Sequence, residues 1–264
     1  MRYRVRVIDA HCHLDDPRYD GDRAEVISRA RAAGVRGFVL AGVEPDGWAA
    51  QAALCREQPD MRATVGLHPQ VVARWSPLEL ARGLEALSAA AQFAIGEIGL
   101  DGSRWVPRGS LPMQREAFRA QLALARERGL PVALHVLDAH GHALDVLRRD
   151  GAPARGGMVH SYSGPAELVA DYEALGFYLS FSGSITRPTA RRALEAAARV
   201  SPERLLVETD CPDQRPADRD GSRNLPEWLG DVVAAVAAAR GEAAEAVAAR
   251  SMDNARRLFQ WEEE

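Results

Sequence analysis

The sequence predicts one (β/α)8 barrel of the TIM type spanning residues 1–264, with an extra C-terminal helix. Three observations lead there. Short β-branched runs alternate eight times with longer stretches rich in Ala, Leu and Arg. No Pro/Gly/Ser linker divides the chain, and 264 residues is the length of one such barrel. The runner-up, an open doubly wound sheet, lacks the Gly-x-Gly-x-x-Gly expected after its first strand.

The elements follow in order. Arginine alternating with valine or isoleucine from Arg4 to Ile8 opens a strand over residues 5–13, and a helix near 22–33 ends at Gly34. A second strand, 37–43, leads to a helix around 46–57. A third, 62–68, stops at Pro69, and a helix near 77–90 precedes the fourth, 93–99. An irregular Gly/Arg/Pro loop at 102–109 and a helix over 112–128 follow, closed by Gly129. The fifth strand is 131–136 with a helix near 139–149, and the sixth is 157–162 with a helix about 165–175. The seventh is 177–182 with a helix at 188–199, and the eighth is 205–210. A polar loop (211–223) and helices near 226–240 and 242–259 complete the chain.

With 47% apolar and 27% charged residues the chain can bury a large core. Its 33 basic and 37 acidic residues leave a net charge of -4, which argues against a coat for non-specific nucleic-acid binding but permits a local basic rim. Every basic residue is arginine. Cys12, Cys55 and Cys211 are odd in number and widely spaced, as expected of reduced thiols in a cytoplasmic protein. Neither a secretory signal pattern nor a run of roughly 18 apolar residues is present, so a soluble, intracellular protein without a membrane partner is expected.

The polar residues fall in a pattern. Side chains two apart on a strand share a face, so Asp9, His11 and His13 should project together, with Ala10 and Cys12 facing the opposite wall. His11 and His13 end strand one, His68 strand three, Glu97 strand four, His135 strand five, His160 strand six and Asp210 strand eight. In a barrel those ends meet on the face that carries active sites. His140 and His142 fall instead at the start of a helix, where a solvated role is expected. Four imidazoles and two carboxylates exceed the ligand set of one open catalytic zinc. They suit two divalent ions about 4 Å apart, bridged by a carboxylate, with Glu97 the natural bridge. With no lysine in the chain, a carboxylated-lysine bridge is excluded. Nitrogen-rich ligation suits Zn, Mn or Ni, whereas Mg prefers oxygen and water.

These residues carry a family resemblance. Asp9-Ala10-His11-Cys12-His13-Leu14, Gly66-Leu67-His68-Pro69, Gly96-Glu97-Ile98-Gly99-Leu100-Asp101, Pro131-Val132-x-x-His135, His160-Ser161-Tyr162-Ser163-Gly164 and Glu208-Thr209-Asp210-x-Pro212 resemble the ordered signatures of the TatD-type metal-dependent hydrolases. Asn224-x-Pro226 and Asn254-Ala255-x-x-Leu258-Phe259 are similar too. The resemblance implies a metal-dependent 3'-5' exodeoxyribonuclease or phosphodiesterase. It further implies that His11, His13 and Asp210 hold one ion, His135 and His160 the other, with Glu97 between them. The chain departs from the family pattern at Leu137, Gly102, Leu225 and Cys211-Pro212-Asp213, positions on the rim that bear on substrate.

The expected reaction is phosphodiester hydrolysis by a hydroxide that the two metals generate, with Asp210 taking the water's proton. Expected substrate contacts are His68, Tyr162, Ser163 and Arg223, and Asp9 is expected to act behind the ligands. Arg104, Arg108, Arg187, Arg215, Arg219 and Arg223, all in loops above the site, are candidates for a positive collar on a DNA backbone. An alternative keeps the metals and changes the bond, giving an ester or amide hydrolase such as an editing deacylase. A third reading, an inactive partner of other DNA-processing proteins, requires a broken ligand set, and none of the six ligand positions is broken.

Overall fold

The computed structural model describes residues 6–261, so the Arg4 and Val5 end of the first expected strand lies outside the described residues. The elements run β1 (Val7–Cys12), α1 (Arg23–Ala33), β2 (Val35–Leu40), α2 (Pro45–Glu57), β3 (Met61–Ala63), α3 (Pro69–Val72), α4 (Pro77–Ala90), β4 (Ile95–Asp101) and α5 (Leu111–Arg128). They continue with β5 (Val132–Leu137), α6 (His140–Asp150), β6 (Gly157–Val159), α7 (Val169–Ala174), β7 (Phe177–Phe181), α8 (Arg191–Arg199), β8 (Leu205–Val207), α9 (Leu229–Arg240) and α10 (Ala244–Phe259).

Strands β1–β3 and β4–β8 form two parallel sheets in chain order. A bridge between Val65 and Ile95 connects β3 to β4. Asp210 N donates to His11 O at 3.0 Å and His13 N to Cys211 O at 2.7 Å, bringing the chain just beyond β8 back to β1. The architecture is the expected TIM barrel.

Local chemistry sets the helix ends. Ser76 and Glu79 form a reciprocal capping box that starts α4, and left-handed glycines at Gly34, Gly129 and Gly241 stop α1, α5 and α9. A second apolar cluster, of Ile8, Ala10, Val39, Ala133, Met158 and Leu206, fills the barrel interior near the strand starts. Ala255, Leu258 and Phe259 of α10 pack into it, so the extra helix closes the end opposite the histidines.

Two differences from the sequence reading matter for function. Strict alternation along β1 fails: Asp9 pairs with Phe38 and Cys12 with Leu40, so three steps on β1 face two on β2. That β-bulge resets the phase. Ala10 joins that inner cluster, whereas Cys12 belongs to the larger core cluster that also holds Leu14, Tyr19 and Phe38, so the two do not share a wall. A second bulge lies in β4, where Gly96 pairs with Ala133 and Ile98 with Leu134, leaving Glu97 as the extra residue. The third, sixth and eighth strands are also shorter than expected, because the chain leaves the ladder before it presents its polar residues. Ser161 and Asp210 sit at φ 42° and 55°, outside extended geometry.

Candidate metal centre

His11, His13, Glu97, His135, His160 and Asp210 converge at the C-terminal end of the barrel. Glu97 divides them. Its Oε2 lies 3.4 Å from His11 Nε2 and 3.9 Å from His13 Nε2, while its Oε1 lies 2.9 Å from His135 Nδ1 and 2.7 Å from His160 Nε2. Asp210 Oδ1 stands 3.7 Å from His11 Nε2 and 3.6 Å from His13 Nε2. His11 is 1% exposed, and its Nε2 is buried with no hydrogen-bond partner. A polar atom left in that condition is costly, and a cation among these carboxylates would satisfy it. Three sets of donors, His11 with His13 and Asp210, His11 with Glu97 and His160, and His68 with Glu97 and His135, each lie within 4.8 Å of one another. The donors therefore fit divalent cations.

Glycine is required where β3 and β4 meet. A Cβ on Gly66 would stand 2.5 Å from the Gly96 carbonyl carbon and 2.7 Å from Glu97 N. Glu97 N in turn donates to Gly42 O at 2.6 Å. The Glu97 carboxylate is thus set by backbone that packs without intervening side chains.

Behind the imidazoles stand carboxylates to which the sequence reading gave no role. Asp101 Oδ2 lies 3.2 Å from His135 Nε2 and also accepts from Gln70 Nε2 at 2.7 Å, while Asp101 Oδ1 accepts from Ser103 N. Glu208 Oε1 lies 3.4 Å from His160 Nδ1 and accepts from Ser161 N at 2.6 Å. Asp101 fixes the His135 ring, and each carboxylate raises the basicity of the imidazole it faces. Both residues sit within the motifs that carry the resemblance, and that was the signal available. Asp9 does not touch the histidines. It accepts from Thr209 N and Oγ1 at 2.8 and 2.5 Å, holding the turn that presents Asp210.

The charges are tightly balanced. Burial opposes ionisation of Glu97, but His160, His68 and His11 overcome it and hold its pKa well below the usual carboxylate range. Asp210 is likewise lowered, against burial, by the neighbouring imidazoles of His13, His160 and His11. Burial works against the imidazolium of His13, yet Asp210 and Glu97 push its pKa up to about 9. His160 is raised well above its ordinary value, against burial, chiefly by Glu97 and Glu208. His68 differs: its pKa is lowered, with burial as the main cause. Its Nδ1 accepts from Gln70 N at 3.2 Å, so the neutral ring carries its proton on Nε2 and donates to Glu97 Oε1 at 3.1 Å.

The site opens into a cleft of about 390 Å3, on whose rim stand Asp16, Arg18, Gln70, Arg74 and Asp213. The expected substrate contacts fare unevenly. His68 lines the cleft and Ser163 is exposed. Tyr162 does not line the cleft: it is 2% exposed, its hydroxyl donates to Pro165 O, and its ring packs on His140 and Phe181. Arg223 is held elsewhere by Asp22, by the Arg18 carbonyl and by the face of Tyr19, so it supports Arg18 rather than facing the cleft. The arginines at the cleft are Arg18 and Arg74, neither among those expected. Arg219 is tied to Asp231. His140, expected in solvent, is buried, with Nδ1 3.0 Å from Tyr172 Oη; His142 is exposed. All three cysteines are free, and among the described residues no helix is long and apolar enough to cross a membrane.

Comparisons with known proteins agree with this geometry. The sequence model of the family described as TatD related DNase matches residues 8–260. The chain is 34% identical over 253 residues to the uncharacterized metal-dependent hydrolase YabD of Bacillus subtilis, covering 96% of this chain and 98% of that one. It is 36% identical over 263 residues to the 3'-5' ssDNA/RNA exonuclease TatD of Klebsiella pneumoniae, covering 96% and 97%. The crystal structure of YjjV, a TatD homolog from Escherichia coli K12, superimposes with a TM-score of 0.87 at 32% identity, covering 98% of this chain and all of that one. The barrel, the divided carboxylate and these relatives lead to one assignment: the chain belongs to the TatD-related DNase family of metal-dependent hydrolases.

Proposed function

We propose that the protein hydrolyses phosphodiester bonds of DNA in the cytoplasm, as a 3'-5' exodeoxyribonuclease or a related phosphodiesterase using a pair of divalent cations. The observation that carries this reading is Glu97, whose two oxygens face separate groups of imidazoles at the floor of an arginine-edged cleft. His11, His13 and Asp210 would hold one cation, His135 and His160 the other, with Glu97 shared. Zn, Mn or Ni suits this nitrogen-rich set better than Mg. Bound there, the cations supply Lewis-acid polarisation of a phosphoryl oxygen and lower the pKa of a water.

The chain does the rest. Asp210, kept anionic by its imidazole neighbours, accepts the proton of the attacking water. His68 stays neutral, steadies Glu97 through Nε2–H and faces the phosphate from the cleft wall. Arg18, fixed by Asp16 and Asp213, and Arg74 flank the entrance and orient the strand through its phosphates. The exonuclease name of the Klebsiella relative supports this substrate.

The test is metal content and cleavage of single-stranded DNA by protein purified without chelator, beside His135→Ala. About two ions per chain, fewer in the variant, with cleavage lost there and on adding chelator, is the expected result. Nuclease activity that survives in His135→Ala refutes the mechanism. Chelator-sensitive hydrolysis of model esters with DNA left intact refutes the substrate and favours the ester or amide reading.

A further inference from the structure

Among the described residues two large apolar side chains stand in solvent, Leu78 at 61% and Trp105 at 60% exposure. Trp105 differs from Leu78 in being anchored at the edge of the metal cleft. Its loop leaves the end of β4 immediately after Asp101, pressed so close to β5 that a Cβ on Gly102 would stand 2.7 Å from Asp138 O. Asp101 Oδ1 then accepts from Ser103 N at 2.8 Å, and Ser103 Oγ accepts from Trp105 N at 3.2 Å. Trp105 O accepts from Arg74 Nη2 at 3.0 Å, and Arg74 lines the cleft. Both polar groups of the Trp105 backbone are therefore committed, while its indole stays in water. The Arg104 guanidinium lies over that indole, 4.6 Å from the ring centroid. Arg74 also donates from Nη1 to Gln70 O, which fixes its guanidinium at the cleft mouth. A pinned, cation-backed aromatic ring beside an arginine at the cleft has the chemistry of a stacking surface for a base.

We propose that Trp105 is a platform on which an unpaired nucleobase of the substrate strand stacks, while Arg74 holds a phosphate of the same strand at the cleft. The proposal rests on the phosphodiesterase reading above and adds to it a residue that distinguishes strands with free bases from other phosphodiesters. A base within a duplex presents no free face, so the platform selects single strands. Arg104 adds positive charge next to the stacked base and holds the ring in place.

The test compares wild type, Trp105→Ala and Trp105→Phe on a single-stranded oligonucleotide and on an abasic strand with the same backbone. It also measures binding of a slowly cleaved phosphorothioate oligonucleotide by fluorescence anisotropy. Removing the ring should weaken binding of the base-bearing strand by about 5- to 100-fold. The wild-type preference for the base-bearing over the abasic strand should shrink toward one in Trp105→Ala and largely return in Trp105→Phe. Unchanged binding and an unchanged preference in Trp105→Ala overturn the proposal. So does an equal loss on both strands, because a ring acting only through the loop would not distinguish them. If wild type binds the phosphorothioate strand through Trp105 but cleaves neither strand, the nuclease reading fails and the platform stands. If wild type does not bind it, both fall.

Discussion

Replacing Asp101 with asparagine keeps the side chain's shape and removes its charge from behind His135. The carboxylate is buried and accepts from three donors: Ser103 N at one oxygen, Gln70 Nε2 and His135 Nε2 at the other. An amide cannot serve all three. With its carbonyl toward His135, its NH2 opposes Ser103 N–H; turned over, the NH2 opposes Gln70 and favours the His135 tautomer whose proton sits on Nδ1, the atom facing Glu97. The first arrangement leaves the half-buried Ser103 N–H unsatisfied, costing about 1 kcal/mol of stability. The second closes the nitrogen proposed above as a metal donor. Asp101→Asn is therefore expected to weaken metal affinity about 10- to 100-fold, or about 1.4–2.8 kcal/mol. Competition against a chromophoric chelator measures the affinity, and far-UV circular dichroism checks the fold. Undiminished affinity in a folded Asp101→Asn protein would refute the argument that this carboxylate sets the ring.

Gly66→Ala forces a methyl group against the Gly96–Glu97 backbone and should cost about 1–3 kcal/mol in denaturant unfolding as well as lowering metal content; normal stability with a full metal complement would contradict the close approach. Metal loading should release protons. The imidazoles of His13, His135 and His160 all have raised pKa values, His13 near 9, so the metal-free site gives stability below pH 6.5 that is lost as pH rises toward 9. Cation affinity should increase over the same window, and calorimetry in buffers of different ionisation enthalpy that finds no proton release would exclude this. His140 predicts the opposite dependence. Burial lowers its pKa from 6.5 to about 4, so the unfolded chain binds a proton that the folded one refuses, and stability is lost as pH drops from 6.5 toward 4. By pH 5 the loss is about 2 kcal/mol. It should be missing in His140→Gln, and an equal acid loss in that variant counts against the assignment.

The eight strand–helix units were legible because hydrophobic periodicity and glycine or proline stops are local. The convergence of His11, His13, Glu97, His135, His160 and Asp210 was legible for a related reason: each was read at a strand's end, and a barrel gathers those ends on one face, although β4 and β5 run on past Glu97 and His135 to Asp101 and Leu137. Phase was harder to read. A bulge adds a residue without altering composition, so nothing in Asp9-Ala10-His11-Cys12 announces that Ala10 and Cys12 part company. Partner choice across long separations was hidden as well. Arg18 finds Asp213 and Arg223 finds Asp22, pairings about 200 residues apart that no window of sequence contains. The loop arginines looked equivalent on paper, and their roles were decided by which carboxylate lay nearby. Tyr162 and His140 were misread because each satisfies its polar atom inside the protein, where composition alone suggests an outward one.

Among the described residues, the two junctions between the five-stranded and three-stranded sheets have fewer paired residues than any other neighbouring pair of strands. One is the lone Val65–Ile95 bridge, two residues before Glu97; the other is the His11–Asp210 and His13–Cys211 crossing. The candidate ligands sit at both. A cation gripped by His11, His13 and Asp210 together with Glu97 would join β1, the end of β8 and β4, so occupancy would fasten the two sheets to each other as well as equip the site for chemistry. Amide exchange in chelated protein should therefore quicken first where β8 returns to β1, at the His11–Asp210 and His13–Cys211 bonds, and later along β7, which carries no candidate ligand.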